Sequence, residues 1–219
     1  MKWGDKYHAG YVTKLIHDIK FKLSIPNKIF LYTDKPEGLE RYVDVIDIGD
    51  FPYNFNRRIN LFRKGFSKGL NLVCDLDIKI IKDFSKFINV KKGIKCVKAH
   101  WKDINEYKGI YGKEYRKDMD LRIDEYYDYT YKTTINGSLT CWNGDDTLVH
   151  EIYDHFMENP VMYSEKYWGH IDRFIEWEHL TYTTFENEIA FSHSLGPYGY
   201  DGQYCVELFH RGDYEHTLH

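Results

Sequence analysis

The sequence predicts an α/β fold, a sheet with helices on both of its faces, in one domain spanning 1–219. Two observations lead there. Short runs rich in Ile, Val, Leu and Phe alternate with segments of helical periodicity through the first hundred residues. The length, 219 residues, suits one sizeable core and is short for two.

The elements follow in order. Tyr11, Leu15, Ile19 and Leu23 lie four apart, so His8 to Leu23 reads as a helix with one apolar face, stopped before Pro26. Lys28 to Thr33 reads as a buried strand, Asp34 to Gly38 as a turn, and Val43 to Ile48 as an alternating strand. Phe55 to Lys64 has helical character. Leu70 to Cys74 is an apolar strand with Asp75 at its end, and Ile78 to Ile81 is a short strand. Asp83 to Ile88 reads as a helical turn and Gly93 to Lys98 as a further strand. Residues 100–133 are rich in Lys, Asp, Glu and Tyr and lack apolar periodicity. They read as an insertion or a mobile segment, because so long a structureless loop is uncommon inside a compact domain. Thr133 to Cys141 returns to strand character. Asp145 to Glu158 is a helix: its acids can cap the N-terminus, Leu148, Ile152 and Phe156 share a face, and Pro160 ends it. Trp168 to Leu180 reads as one helix and Gln203 to Phe209 as a late strand.

Composition narrows the function classes. Lys and Arg number 30 against 34 Asp and Glu, a formal net charge of -4. A mildly acidic chain does not suit general nucleic-acid binding, which needs a basic face. Mean hydropathy is -0.60 and no run approaches the length of a membrane span. Met1 to Asp5 has no apolar core, so no secretory leader is expected. The four cysteines (Cys74, Cys96, Cys141 and Cys205) are scattered with no CxxC pair, which points to buried, reduced thiols and a cytoplasmic setting.

The chemistry concentrates at Asp75-Leu76-Asp77. Two carboxylates with one residue between them can aim at a single hard cation such as Mg²⁺ or Mn²⁺. Acidic triplets are common, and Asp118-Met119-Asp120 is another. Only Asp75 and Asp77 end a strongly apolar strand, the edge at which ligands bind in open α/β sheets. Acids so close to a core need a partner.

Several stretches then fall in a recognisable order: Lys2 to Tyr7, Phe30 to Leu39, Arg58 to Phe62, Leu72 to Asp77, Ile135 to Ser138, Gly169 to Phe174, and Phe209 to Gly212. The ordered set resembles GT-A glycosyltransferases, as a distant relative of the glycogenin type, over nearly the whole chain. The resemblance implies a Rossmann-like single domain with a mixed central sheet. It implies Mn²⁺ (or Mg²⁺) held by Asp75, Asp77 and His210. It places Thr33 and Asp34 near the nucleoside and Arg58 near the donor phosphates. Asn136 and Ser138 then meet the donor sugar, and Asp172 lies near the reacting centre. The implied activity is transfer of a sugar from a nucleotide-diphosphate sugar, UDP-sugar favoured, to an acceptor hydroxyl with retention. The acceptor is a glycan, lipid or protein.

The chain also departs from the family pattern. Met1 directly precedes Lys2-Trp3-Gly4, where family members carry a strand. Gly169-His170-Ile171-Asp172 stands where the family has Gly-Asp-Gln. The C-terminal run His210-Arg211-Gly212-Asp213-Tyr214 lacks the family's phosphate-facing Lys, a role that falls to Arg211. The plain alternatives stay open: a turn carboxylate at Asp34, a surface helix charge at Arg58, and a solvent-facing helical acid at Asp172. Two other functions use the same residues. One is a nucleotidyltransferase or nucleotide-sugar hydrolase, against which stands the lack of a G-x-x-x-x-G-K-[ST] loop. The other is a catalytically degenerate sugar- or protein-binding module.

Overall fold

The structure, a computed structural model, describes residues 7–36, 38–47, 54–99, 132–186, 189–192 and 204–209. Its helices and its sheets of mixed strand orientation make it an α/β protein. The chain forms two compact units. The first comprises Met1–Phe51, Val73–Ile88 and Glu188–His219, and the second Pro52–Leu72 and Asn89–Asn187.

The first unit opens with helix α1 (Ala9–Lys22). His8 caps it, with Nδ1 accepting from Gly10 N at 3.0 Å. Lys20 and Lys22 lie in the last turn, where cations suit the helix dipole. Tyr11, Val12, Leu15 and Ile16 are buried. Asp18, also buried, is paired with Lys22 at 2.8 Å one turn on. The helix packs on strand β4 (Ile78–Ile80), and Lys22 Nζ reaches the carbonyl of Ile80.

Strands β1 (Phe30–Thr33) and β2 (Asp44–Asp47) pair in parallel, Thr33 opposite Asp47. Gly38, between them, has φ 75°, a conformation that glycine adopts without a Cβ clash. Strand β4 (Ile78–Ile80) pairs antiparallel with β9 (Val206–Leu208), which pairs in parallel with β8 (Ala190–Ser192). Ile78, Ile80, Val206 and Leu208 are all at most 1% exposed, so this ladder is core.

The second unit is built on a four-stranded sheet in the order β3-β6-β5-β7. These are β3 (Leu70–Cys74, whose last two residues enter the first unit), β5 (Ile94–Lys98), β6 (Ile135–Asn143) and β7 (Tyr182–Thr184). β5 runs antiparallel to β6 and parallel to β7. At the base of the β5–β6 connection Lys98 faces Ile135, and Ala99 N donates to Thr134 O at 2.7 Å. The two ends of the predicted 100–133 insertion are therefore held together, and residues 100–131 lie outside the described ones.

Helix α2 (Thr147–Glu158) buries Val149, Ile152 and Phe156. Asp146 does more than cap it: Oδ1 accepts from Leu148 N at 3.0 Å and Oδ2 from Gly93 N at 2.6 Å. Gly93 has φ 64°, and a Cβ there would lie 2.2 Å from the Thr181 carbonyl oxygen.

Pro160 ends α2 as expected, but it also begins a helix that the periodicity does not reveal, α3 (Pro160–Lys166). Asn159 caps it, and the proline occupies the first turn, where a missing N–H costs nothing. The predicted helix Trp168 to Leu180 is shorter, α4 (Ile171–Trp177). Trp168, at φ 49°, closes α3: Gly169 N donates to Ser164 O at 2.9 Å and Trp168 N to Glu165 O at 3.3 Å. His179, at φ 54°, closes α4 in the same way, through Leu180 N to Ile175 O and His179 N to Glu176 O. Both ends are Schellman caps with bulky residues where glycine is usual. The predicted helix over Phe55 to Lys64 is a 3₁₀ helix, Asn54–Phe62, that sets Ile59 and Phe62 three apart in the core.

All four cysteines are free and buried, as expected. Burial pushes the thiols of Cys96 and Cys141 up to about 12. No described helix is long and apolar enough to cross a membrane.

Candidate functional site

In the first unit the chain leaves β3, turns through Asp75-Leu76-Asp77 and enters β4. Leu76 is 3% exposed, while the carboxylates on either side are half-buried. The buried leucine anchors the turn, and the acids flank it at the rim. Backbone bonding holds the second acid in place: Phe209 N donates to Asp77 O at 2.9 Å, continuing the β4–β9 ladder by one residue. Phe209 is itself 1% exposed. The next residue in the chain is His210, which together with Arg211 lies outside the described residues.

The phenol of Tyr7 donates to Asp77 Oδ2 at 2.8 Å. Burial raises the Tyr7 pKa well above its ordinary value, and the charges of Asp77 and Asp75 raise it further. Both carboxylates thus act on one phenol. Two hard oxygen ligands on one turn fit a divalent cation such as Mn²⁺ or Mg²⁺ in donor chemistry. Among the described residues there is no group of three or more His, Cys, Asp or Glu that could hold a metal ion.

Thr33 ends β1 at 1% exposure. Its hydroxyl accepts from Lys35 N at 3.1 Å and lies 3.2 Å from Lys35 O, a local turn that shapes the strand end. Asp34 is exposed on that turn.

In the second unit the predicted strand Thr133 to Cys141 is β6, continuous over Ile135–Asn143, but its pairing with β5 shifts register. Cys96 faces Thr140, but the next residue of β5, Val97, faces Asn136. Gly137, Ser138 and Leu139 therefore bulge out of the β5–β6 ladder. Bulges of this kind re-aim side chains and are over-represented beside active sites. Local bonds stabilise it: Ser138 N donates to Asn136 Oδ1 at 2.9 Å, and Thr140 Oγ1 to Gly137 O at 3.0 Å. Arg58, 6% exposed on the 3₁₀ helix, also donates to the Gly137 carbonyl through Nη1.

A Cβ on Gly137 would lie 3.1 Å from Arg58 Nη1 and 3.9 Å from Asp172 Cβ. The bulge thus gathers Asn136, Ser138, Arg58 and Asp172, four of the residues singled out from the sequence. Asp172 sits in the first turn of α4, with Oδ1 4.0 Å from His170 Nδ1.

The chain matches no protein-family model and no curated protein sequence.

Two features of the site escape the sequence. The Tyr7–Asp77 bond joins residues 70 apart, and no local pattern announces such a pair. The bulge has one weak signal, the glycine between Asn136 and Ser138 inside a strand pattern.

Proposed function

We propose that the chain is a metal-dependent glycosyltransferase of the GT-A type, moving a sugar from a nucleotide-diphosphate sugar (UDP-sugar favoured) to an acceptor hydroxyl. The observation that carries this reading is the Asp75-Leu76-Asp77 turn: two half-buried carboxylates around a buried leucine at a strand exit, with the chain neighbour of His210 bonded to Asp77.

In this reading Asp75, Asp77 and His210 hold Mn²⁺ (or Mg²⁺), which supplies Lewis-acid stabilisation of the negative charge on the departing diphosphate. Thr33 and Asp34 shape the nucleoside end, and Arg211 adds positive charge at the phosphates. Arg58 acts by fixing the Gly137 bulge and lends its charge to the donor. Asn136, Ser138 and Asp172 bind the sugar hydroxyls and orient its anomeric carbon. The bond from that carbon to the diphosphate oxygen breaks, and a bond to the acceptor oxygen forms. The acceptor proton leaves with the diphosphate, and retention follows from the family resemblance. Much of the rate comes from holding the acceptor oxygen and the anomeric carbon at reacting distance.

The test is thermal stabilisation by a panel of nucleoside diphosphates, each with Mn²⁺ and with chelator. Ligands that bind only the folded chain raise its melting temperature by mass action. A Mn²⁺-dependent shift with one nucleotide, lost in Asp77→Asn along with sugar transfer, is the expected outcome. No shift with any nucleotide refutes the transferase and favours a sugar- or protein-binding module. Nucleotide-sugar cleavage that proceeds without an acceptor favours a hydrolase.

A further inference from the structure

The two partners of the Tyr7–Asp77 hydrogen bond are held from different directions. The Tyr7 ring stands edge-on to Tyr11, with centroids 5.2 Å apart, and Tyr11 packs in turn against His8 at 4.8 Å. Tyr11 is 3% exposed on the buried face of α1. The phenol is thus braced by the first turn of a helix. Asp77 is braced by its own backbone, through Phe209 N and the β4–β9 ladder. A hydrogen bond of 2.8 Å between two braced groups selects one orientation of the carboxylate.

The choice of donor also matters. An ionised carboxylate offers about four lone-pair directions, and a phenol occupies one of them without cancelling the charge. A neutral donor orients the carboxylate without itself neutralising it.

We propose that Tyr7 is a positioning residue for the divalent cation, its hydroxyl holding the Asp77 carboxylate in the orientation that meets the ion together with Asp75. This rests on the reading of Asp75 and Asp77 as a cation site. Outer-shell partners of ligating carboxylates typically change metal affinity by about 10–100-fold when removed.

The experiment titrates Mn²⁺ into the full chain, with and without UDP, following the ion by electron paramagnetic resonance. Wild type, Tyr7→Phe and Asp77→Asn are compared, and each is melted in chelator. Phenylalanine keeps the ring against Tyr11 and removes only the hydroxyl. Tyr7→Phe is expected to bind Mn²⁺ about 10–100-fold more weakly, with an altered bound-ion spectrum and a melting temperature within a few degrees of wild type. A wild type that binds Mn²⁺, an Asp77→Asn that does not, and a Tyr7→Phe that binds like wild type would overturn the role of Tyr7 and leave the cation site standing. A wild type that binds no Mn²⁺ under either condition overturns both. A second readout needs no variant: with ring-labelled tyrosine, substoichiometric Mn²⁺ must broaden the Tyr7 signal, and a Tyr7 signal left sharp by bound Mn²⁺ overturns the proposal even if Tyr7→Phe fails to fold.

Discussion

Asp146 carries two separable tasks in one carboxylate, and two substitutions take them apart. Oδ1 caps α2 through Leu148 N, and Oδ2 accepts from the N–H of Gly93. Losing the cap costs about 1 kcal/mol. Gly93 is buried, and stranding its N–H costs a further desolvation penalty of about 1–3 kcal/mol. Asp146→Ala loses both, so its expected destabilisation is about 2–4 kcal/mol. Asp146→Asn keeps one carbonyl oxygen for the cap but offers an amide N–H₂ in place of the second acceptor, so about 1–3 kcal/mol is expected. Urea unfolding followed by circular dichroism measures both, as a fall in midpoint at constant slope. The ordering wild type, Asn, Ala is the signature of two tasks. Equal stability of the two variants would refute the division, and an Asp146→Ala within about 0.5 kcal/mol of wild type, the range of ordinary surface changes, would refute the reasoning altogether.

Two further outcomes are expected. Desolvation pushes the Glu178 carboxyl up, but bonds from Lys166 at 2.8 Å, from Tyr167 and from His155 at 3.3 Å outweigh it and bring its pKa down to about 2. The folded value lies below the unfolded one, so this stabilisation is present above the ordinary carboxylate range and is lost as pH falls toward 2. Melting temperatures between pH 2 and 6 should therefore fall more steeply for wild type than for Glu178→Gln. At the bulge, Gly137→Ala pushes a Cβ to 3.1 Å from Arg58 Nη1. Part of a bond to a charged donor, worth about 1.5–3 kcal/mol in full, is lost against the roughly 0.4–1 kcal/mol recovered from a stiffer unfolded chain, so a small net destabilisation is expected. A double-mutant cycle with Arg58→Ala should show strong coupling, and additive losses would rule out the contact.

Local rules made much of the fold legible. The four-residue spacing from Tyr11 to Leu23 marks α1, and the acid pair before Leu148 marks α2, because each pattern lies within a few turns of one helix. The break at Trp168 and Gly169 is hidden, since the left-handed positions that end α3 and α4 hold Trp168 and His179. The capping bonds, Gly169 N to Ser164 O and Leu180 N to Ile175 O, hold those conformations against the preference of L-residues. β7 and β8, three residues each, are too short to show a period. The site divides along the same line. Asp75 and Asp77 stand out because an apolar strand leads into them. The role of Arg58 at the Gly137 carbonyl depends on a contact 79 residues away in the chain. The offset in strand pairing between Cys96 and Val97 is decided by what β6 meets, and strand character alone reads straight through it.

The closed base of the β5–β6 connection has a consequence for engineering. Because Ala99 and Thr134 are hydrogen-bonded neighbours, the chain leaves the sheet and rejoins it at a single doorway. A reporter domain whose termini lie close together can be inserted beyond that bond while the pairing of Lys98 with Ile135 keeps the register of Asn136 and Ser138.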